Sequence, residues 1–116
     1  MIKRKAEMKL VENFHMKGGD GTVKILHFMD KEDINGNCRL MAKIILEPGC
    51  SIGRHQHDGE EEIFYIIKGT AEYDDDGKIE TLNEGDSCVC LGGQSHCIAN
   101  RTDEITELIA FIPLYD

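Results

Sequence analysis

Two histidines separated by one residue, His55 and His57, are the side chains of this sequence best suited to chemistry. They open the stretch HQHDGEEEIFYIIKG (55–69), in which three glutamates precede an apolar run. Residues i and i+2 of a strand project to the same side, so the two imidazoles could clamp one metal ion. Such sites usually take three or four protein ligands, and nitrogen with oxygen donors suits a borderline or hard divalent ion. The local sequence also permits a polar turn that leads into a strand.

The remaining ligands of a metal site would have to come from neighbouring strands. Asp58-Gly59 is a suitable place for the chain to reverse, and a glutamate that opens the next strand could then supply an oxygen. Of the three other histidines, His96 follows the flexible Gly92-Gly93 turn and starts a strand. We therefore take His96 as the natural candidate for the fourth ligand.

The elements that would position these residues are short strands. In segment 38–49, the even-numbered residues from 40 to 46 are apolar and Arg39 and Lys43 take the other face, which predicts a half-buried strand. Asp76-Gly77 is a strong hairpin turn, because both residues tolerate positive φ. Strands close together and punctuated by glycine, without helical alternation, predict an all-β sandwich or barrel. Further strand segments are predicted at 22–30, 62–69, 70–82, 86–93, 96–101 and 105–115.

Charge and hydropathy exclude several classes of partner. The formal net charge of -9 argues against nucleic acid and anionic membranes, which require clustered lysine and arginine. No apolar run approaches the roughly 20 residues that span a bilayer, and the N-terminus has no apolar core of a secretory signal. We expect a cytoplasmic protein.

Five cysteines are present, and their number and spacing do not suggest a disulfide framework. Together with the expected location, this predicts reduced thiols. Cys88 and Cys90 would face the same way on a strand. Small core residues are the favoured interpretation of this pair, ahead of a metal or redox role.

At these positions the sequence resembles the cupins. Their first motif is Gly, five residues, His-x-His, three or four residues, Glu, six residues and Gly. Gly49, His55, His57, Glu62 and Gly69 match it throughout.

The second cupin motif is Gly, five residues, Pro-x-Gly, two residues, His, three residues and Asn. Gly85, Gly93, His96 and Asn100 match it, but Leu91 stands where proline is usual. That proline stiffens a turn and ligates nothing, so its replacement should leave the site intact and the turn somewhat looser.

The resemblance implies a small antiparallel β-barrel, or double-stranded jelly roll, with residues 21–116 as the barrel. Residues 1–20 would be an N-terminal segment, partly ordered or holding an edge strand at 10–14. The resemblance also implies one divalent metal ion per chain, with Fe, Mn, Ni, Co and Zn not distinguished by the ligands. The metal ligands it implies are His55, His57, Glu62 and His96.

The motif spacing separates the other candidates from the ligands. Glu60 and Glu61 are expected to carry surface charge, and Phe64 and Ile66 to form an apolar wall beside Glu62. His15 and His27 lie outside both motifs and are interpreted as ordinary polar or half-buried histidines.

Two functions remain open from sequence. The first is a metal-dependent enzyme of the dioxygenase, decarboxylase or isomerase type acting on a small polar molecule. The second is a non-catalytic module that binds or senses a small ligand. No catalytic residue is assigned, and the possible pocket liners are Tyr73, Cys88, Cys90 and Asn100. A homodimer is expected, because a small barrel has exposed strand edges to pair, with the C-terminal strand or the N-terminal segment as the contact.

Overall fold

The computed structural model describes all 116 residues, which form ten strands and three single-turn 3-10 helices. The 3-10 turns span Lys5–Glu7, Met16–Gly18 and Lys31–Asp33. The strands are β1 (Lys9–Phe14), β2 (Thr22–Met29), β3 (Cys38–Leu46), β4 (Ser51–Gln56), β5 (Glu62–Lys68), β6 (Ala71–Asp75), β7 (Lys78–Leu82), β8 (Ser87–Cys90), β9 (Ser95–Ala99) and β10 (Thr106–Pro113). No helix is long and apolar enough to cross a membrane.

The strands form two antiparallel sheets. The larger sheet has the order β1-β2-β3-β10-β5-β8, and the smaller has the order β4-β9-β6-β7. In both sheets, strands that are far apart in the sequence lie side by side, as is typical of a jelly roll. This strand order confirms the predicted fold class. The hydrogen bonds of the two sheets remain separate, so the barrel is closed by side-chain packing rather than by a continuous ladder.

A core of 14 buried hydrophobic residues from both sheets joins them. The predicted alternation along β3 is confirmed, since Ala42, Ile44 and Leu46 are at most 1% exposed. Ile52 and Ile98 of the smaller sheet belong to the same core. Each large aliphatic side chain buried in this way stabilises the fold by about 1.5–3 kcal/mol, which outweighs any single surface contact.

The predicted hairpin between β6 and β7 is also confirmed. Its two turn residues, Asp76 and Gly77, have φ angles of 49° and 102°. Positive φ at both positions matches the right-handed twist of the paired strands.

The N-terminal segment is attached to the larger sheet. β1 pairs with β2 over six residues, from Lys9 opposite His27 to Phe14 opposite Thr22, and forms the edge of the sheet. Lys3 adds ion pairs with Asp30, at 2.8 Å, and with Asp33. The boundary between segments 1–20 and 21–116 stays a prediction.

The C-terminal strand is internal. β10 lies between β3 and β5 and pairs with both, so both of its backbone edges are occupied. The expected contact through this strand stays a prediction, and it would have to use exposed side chains, because no backbone edge of β10 is free. The free edges belong to β1, β8, β4 and β7.

Candidate metal centre

The four side chains expected to bind a metal come from two sheets. His55 lies on β4 and pairs with His96 on β9, so the two rings are brought together by strand register. His57 follows the last residue of β4, and Glu62 is the first residue of β5 in the larger sheet. The register of β4 and β9 is irregular between Ile52 and His55, just before the first histidine of the cluster.

The donor atoms of these residues converge. Glu62 Oε1 lies 3.1 Å from His57 Nε2, 3.0 Å from His96 Nε2 and 3.9 Å from His55 Nε2. The Nε2 atom of His96 lies 3.1 Å from that of His57 and 3.2 Å from that of His55. One ligand atom from each residue fits within 4.8 Å of all the others, so the group could hold a metal ion.

The second nitrogen of each ring has its own partner. Nδ1 of His55 donates to the carbonyl of Gly53 at 2.7 Å, and Nδ1 of His57 donates to Glu60 at 2.6 Å. A carbonyl and an ionised carboxylate only accept, so in the neutral form of both rings the proton is on Nδ1 and Nε2 carries the lone pair that a metal ion would bind. The third Nδ1, on His96, lies 2.8 Å from the Tyr73 hydroxyl, which can accept its hydrogen bond.

A divalent cation fits this arrangement. Three Nε2 lone pairs and a carboxylate oxygen that point at one another repel unless a positive charge lies between them. Donor atoms at right angles around one ion, each about 2.1 Å from it, lie about 3 Å apart, which matches most of the distances above. Three imidazoles and one carboxylate form a donor set for Fe, Mn, Co, Ni or Zn.

Burial and hydrogen bonding set the charges of the cluster. Burial opposes ionisation of Glu62, but the three surrounding imidazoles, with Nε2 of His57 and His96 within 3.1 Å of its Oε1, outweigh burial and hold its pKa well below the usual range. The hydrogen bond with Glu62 raises the pKa of His57, and burial lowers that of His96. Glu62 is therefore a carboxylate at neutral pH, and His96 is ready to act as a neutral ligand.

The expectation that Glu60 is a surface charge is wrong. Its side chain is 13% exposed, and besides His57 it binds Arg39 through two hydrogen bonds of 2.7 Å. The Arg39 guanidinium is the main reason why the pKa of Glu60 is lowered to about 2. The neighbouring Glu61 is half-buried, and its carboxylate accepts a hydrogen bond of 2.9 Å from the Tyr115 hydroxyl.

The predicted apolar wall beside Glu62 is confirmed. Phe64 and Ile66 are at most 1% exposed, on the same face of β5 as Glu62. The Phe64 ring stacks on His96, with centroids 5.2 Å apart and planes 7° apart. This contact and the Tyr73 hydrogen bond fix the orientation of the His96 ring.

The turn that leads to His96 is held without the usual proline. The Gly92 N–H donates to the Tyr115 hydroxyl at 2.9 Å, and the Leu91 N–H donates to the Gln94 side chain at 3.0 Å. The Gly93 N–H donates to the carbonyl of His57 at 2.7 Å. These bonds tie the turn directly to the second histidine of the cluster.

A cavity of about 310 Å3 opens beside the cluster. His55, His57 and Glu62 line it, whereas His96 lies behind them at 1% exposure. The sequence interpretation missed several further polar liners, which are Asn13 on β1, Lys17, His27 on β2, Arg39, Gln56 and Glu60. The signal for His27 was present, because it continues the inward alternation of Val23 and Ile25.

The four residues considered as possible pocket liners do not line this cavity. Tyr73 lies behind His96, and burial raises the pKa of its hydroxyl, which stays protonated. Burial also raises the pKa of Cys88 and of Cys90 to about 11, which suits small packing residues rather than reactive thiols.

Asn100 has a structural role. It is fully buried, and its amide donates to the carbonyls of Leu46 and Glu104 at 2.8 and 2.6 Å. Its Oδ1 accepts hydrogen bonds from the backbone and hydroxyl of Thr102. Asn100 therefore holds the turn before β10 and does not face the metal cluster.

Fold and site together define a small jelly-roll protein with a histidine–carboxylate cluster at a cavity. The model of the cupin domain family matches residues 42–112, and the chain belongs to the cupin family. An oxalate-binding protein of Thermotoga maritima is 38% identical over 114 residues, which cover 98% of this chain and 94% of the relative.

Solved structures agree with this assignment. The crystal structure of a predicted oxalate decarboxylase from Thermotoga maritima is 38% identical, with a TM-score of 0.92, and the match covers 98% of this chain and 99% of that one. The polyketide cyclase RemF from Streptomyces resistomycificus has a TM-score of 0.78 at 19% identity, with 97% of this chain and 80% of that one covered. At 19% identity, the similarity to RemF supports the fold alone.

Proposed function

We propose that this cupin binds one divalent metal ion per chain through His55, His57, Glu62 and His96, and binds a small carboxylate at that ion. The observation that carries the proposal is the convergence of three imidazole Nε2 atoms and one carboxylate oxygen on the wall of a cavity. Four protein ligands leave two positions of a six-coordinate shell for a chelating molecule. When bound, the ion supplies positive charge that polarises a coordinated oxygen.

The charges around the cavity support an anionic ligand. Lys17 and Arg39 line the cavity together with Glu60 and Glu62, so the protein charges there balance. A divalent ion then leaves the site with an excess of two positive charges, which favours a carboxylate or dicarboxylate. Oxalate is the first ligand to test, because a relative 38% identical to this chain is named an oxalate-binding protein.

A second candidate function is catalysis at the same site, of the decarboxylase, dioxygenase or isomerase type. Such a reaction needs a group that handles protons besides the metal ligands. Glu60 is already hydrogen-bonded to Arg39 and His57, so it is a poor candidate for this group. His27 projects into the cavity from β2 and is the residue that favours this candidate.

We further propose a cytoplasmic homodimer. The unpaired state of all five cysteines supports a reducing location. The outer face of the larger sheet supports self-association, since Tyr65, Val89 and Phe111 on three of its strands are 46%, 40% and 37% exposed. Light scattering after size-exclusion chromatography tests the dimer, and a monomer mass at micromolar concentration would contradict it.

Elemental analysis tests the metal proposal. Protein purified without chelator or nickel resin should contain close to one equivalent of a divalent metal, and the double variant His57→Ala/His96→Ala should lose nearly all of it. His15→Ala is the matched control, because His15 is exposed and its ring nitrogen Nδ1 bonds the carbonyl of Gly19, away from the cluster. Stoichiometric metal in the double variant would place the site elsewhere.

Calorimetry tests the ligand. Oxalate should bind the metal-loaded protein saturably and the metal-free protein far more weakly. Turnover of oxalate by the loaded protein, lost in His27→Gln while binding persists, would favour the catalytic candidate. Saturable binding without turnover would favour the binding module.

A further inference from the structure

The cavity beside the metal cluster has an aliphatic wall. A metal ion and the carboxylate bound to it would not account for this wall. We propose that the preferred ligand is a 2-oxo carboxylate with an aliphatic chain of several carbons, whose chain lies against this wall. The inference rests on the proposed function for the ligand's charged head and goes beyond it for the rest of the molecule.

The wall consists of side chains from five strands. Ile25, Ile44 and Ile52 belong to the packed core and are at most 6% exposed, so their positions are fixed by the fold. Such a surface is preformed, and an apolar group that meets it loses contact with water without any rearrangement of the protein. The aliphatic residues that line the cavity on the strands are Val11, Ile25, Leu40, Ile44, Ile52 and Ile112.

The size of the cavity argues for a ligand larger than oxalate. A volume of about 310 Å3 corresponds to about ten water molecules at about 30 Å3 each. Oxalate has six non-hydrogen atoms and would leave much of that space empty or filled with water. A 2-oxo acid with a chain of three or four carbons beyond the keto group fills more of it.

The chemistry of the wall argues in the same direction. Oxygens of oxalate that turn toward the aliphatic side chains find no hydrogen-bond donor among them, although Asn13, Lys17, His27 and Arg39 offer donors elsewhere on the cavity lining. A 2-oxo carboxylate presents its oxygens on one end only. That end suits the proposed metal position beside His55, His57 and Glu62, and the hydrocarbon end suits the wall.

A homologous series of ligands tests the chain. Metal-loaded protein is titrated in a calorimeter with glyoxylate, 2-oxopropanoate, 2-oxobutanoate, 2-oxopentanoate and 2-oxo-4-methylpentanoate, with oxalate alongside. Affinity should rise about fourfold for each added methylene until the cavity is full, and the longest chains should bind more tightly than oxalate. A flat series, or one in which oxalate binds most tightly, overturns the inference.

A matched pair of variants tests the wall itself. Val11 and Leu10 are neighbours on the edge strand β1, but Val11 lines the cavity and Leu10 is 52% exposed on the opposite face. Val11→Phe should weaken 2-oxo-4-methylpentanoate at least tenfold while oxalate and glyoxylate change less than threefold. Leu10→Phe should change none of the three, and both variants should keep the metal content and far-ultraviolet circular dichroism of the wild type.

The outcomes separate this inference from the proposed function. If metal is bound and oxalate binds, but chain length and Val11→Phe have no differential effect, the aliphatic ligand is wrong and the carboxylate site stands. If neither oxalate nor any 2-oxo acid binds the metal-loaded protein, both proposals fail. If affinity rises with chain length and Val11→Phe reverses the rise, the wall is assigned to the ligand's hydrocarbon chain.

Discussion

The carboxylate of Glu60 accepts a hydrogen bond of 2.6 Å from Nδ1 of His57. This bond decides which nitrogen of His57 faces Glu62, and the two hydrogen bonds from Arg39 in turn hold the carboxylate in place. A chain of arginine, glutamate and histidine thus runs from β3 to the centre of the cluster. Partners of this kind orient a metal-binding imidazole and raise its basicity.

Substitution Glu60→Gln should weaken metal binding about 10- to 100-fold, because the amide is a poorer acceptor for His57 and loses the charge that binds Arg39. Competition with a fluorescent chelator measures the affinity. Glu61→Gln is the control, since Glu61 binds Tyr115 instead, and its affinity should stay within threefold of wild type. Equal effects of the two substitutions would show that Glu60 does not position His57.

Metal affinity should fall as the pH is lowered from 8 to 5. The hydrogen bond with Glu62 raises the pKa of His57, so a proton competes with the metal at higher pH than at an ordinary imidazole. Glu62 has a strongly lowered pKa and stays ionised over this range. Above the pKa of His57 the affinity should level off.

Calorimetry in two buffers of different ionisation enthalpy checks this dependence, because it counts the protons released on binding. More protons should be released on metal binding near pH 6 than at pH 8. A metal affinity that is the same at pH 5 and pH 8 would contradict the assignment of imidazole ligands.

Substitution Tyr73→Phe should destabilise the fold by about 1–3 kcal/mol, because it leaves Nδ1 of buried His96 without a partner. Urea unfolding of the metal-free protein measures the loss. Tyr65→Phe removes an equivalent hydroxyl from a side chain that is 46% exposed and should change stability by less than about 0.5 kcal/mol. A loss no larger than that of the control would mean that His96 does not depend on the hydroxyl.

Substitution Asn100→Ala should destabilise the protein by about 3 kcal/mol, because it removes both donors to the Leu46 and Glu104 carbonyls from a fully buried site. The metal content of the folded fraction should not change. Asn83→Ala, at an exposed turn, is the control and should be nearly neutral. Loss of metal from folded Asn100→Ala protein would instead connect this residue to the cluster.

Much of the fold followed from local patterns. Alternation identified the inward face of β3, and Asp76-Gly77 identified the hairpin, because side-chain direction in a strand and positive φ in a turn depend on only a few neighbouring residues. Motif spacing selected Glu62 among three adjacent glutamates, and the structure brings that residue, rather than Glu61, next to the histidines.

The sequence by itself determined most of the strand segments and the residues that are candidates to meet at the metal cluster. Only the tertiary structure decided that Glu60 is held by Arg39 and that Tyr73 supports His96. It also placed β10 inside the larger sheet rather than at its edge. The physical reason is that these contacts join strands far apart in the chain. Their partners are set by sheet order and by packing of the whole core, which no local pattern of residues encodes.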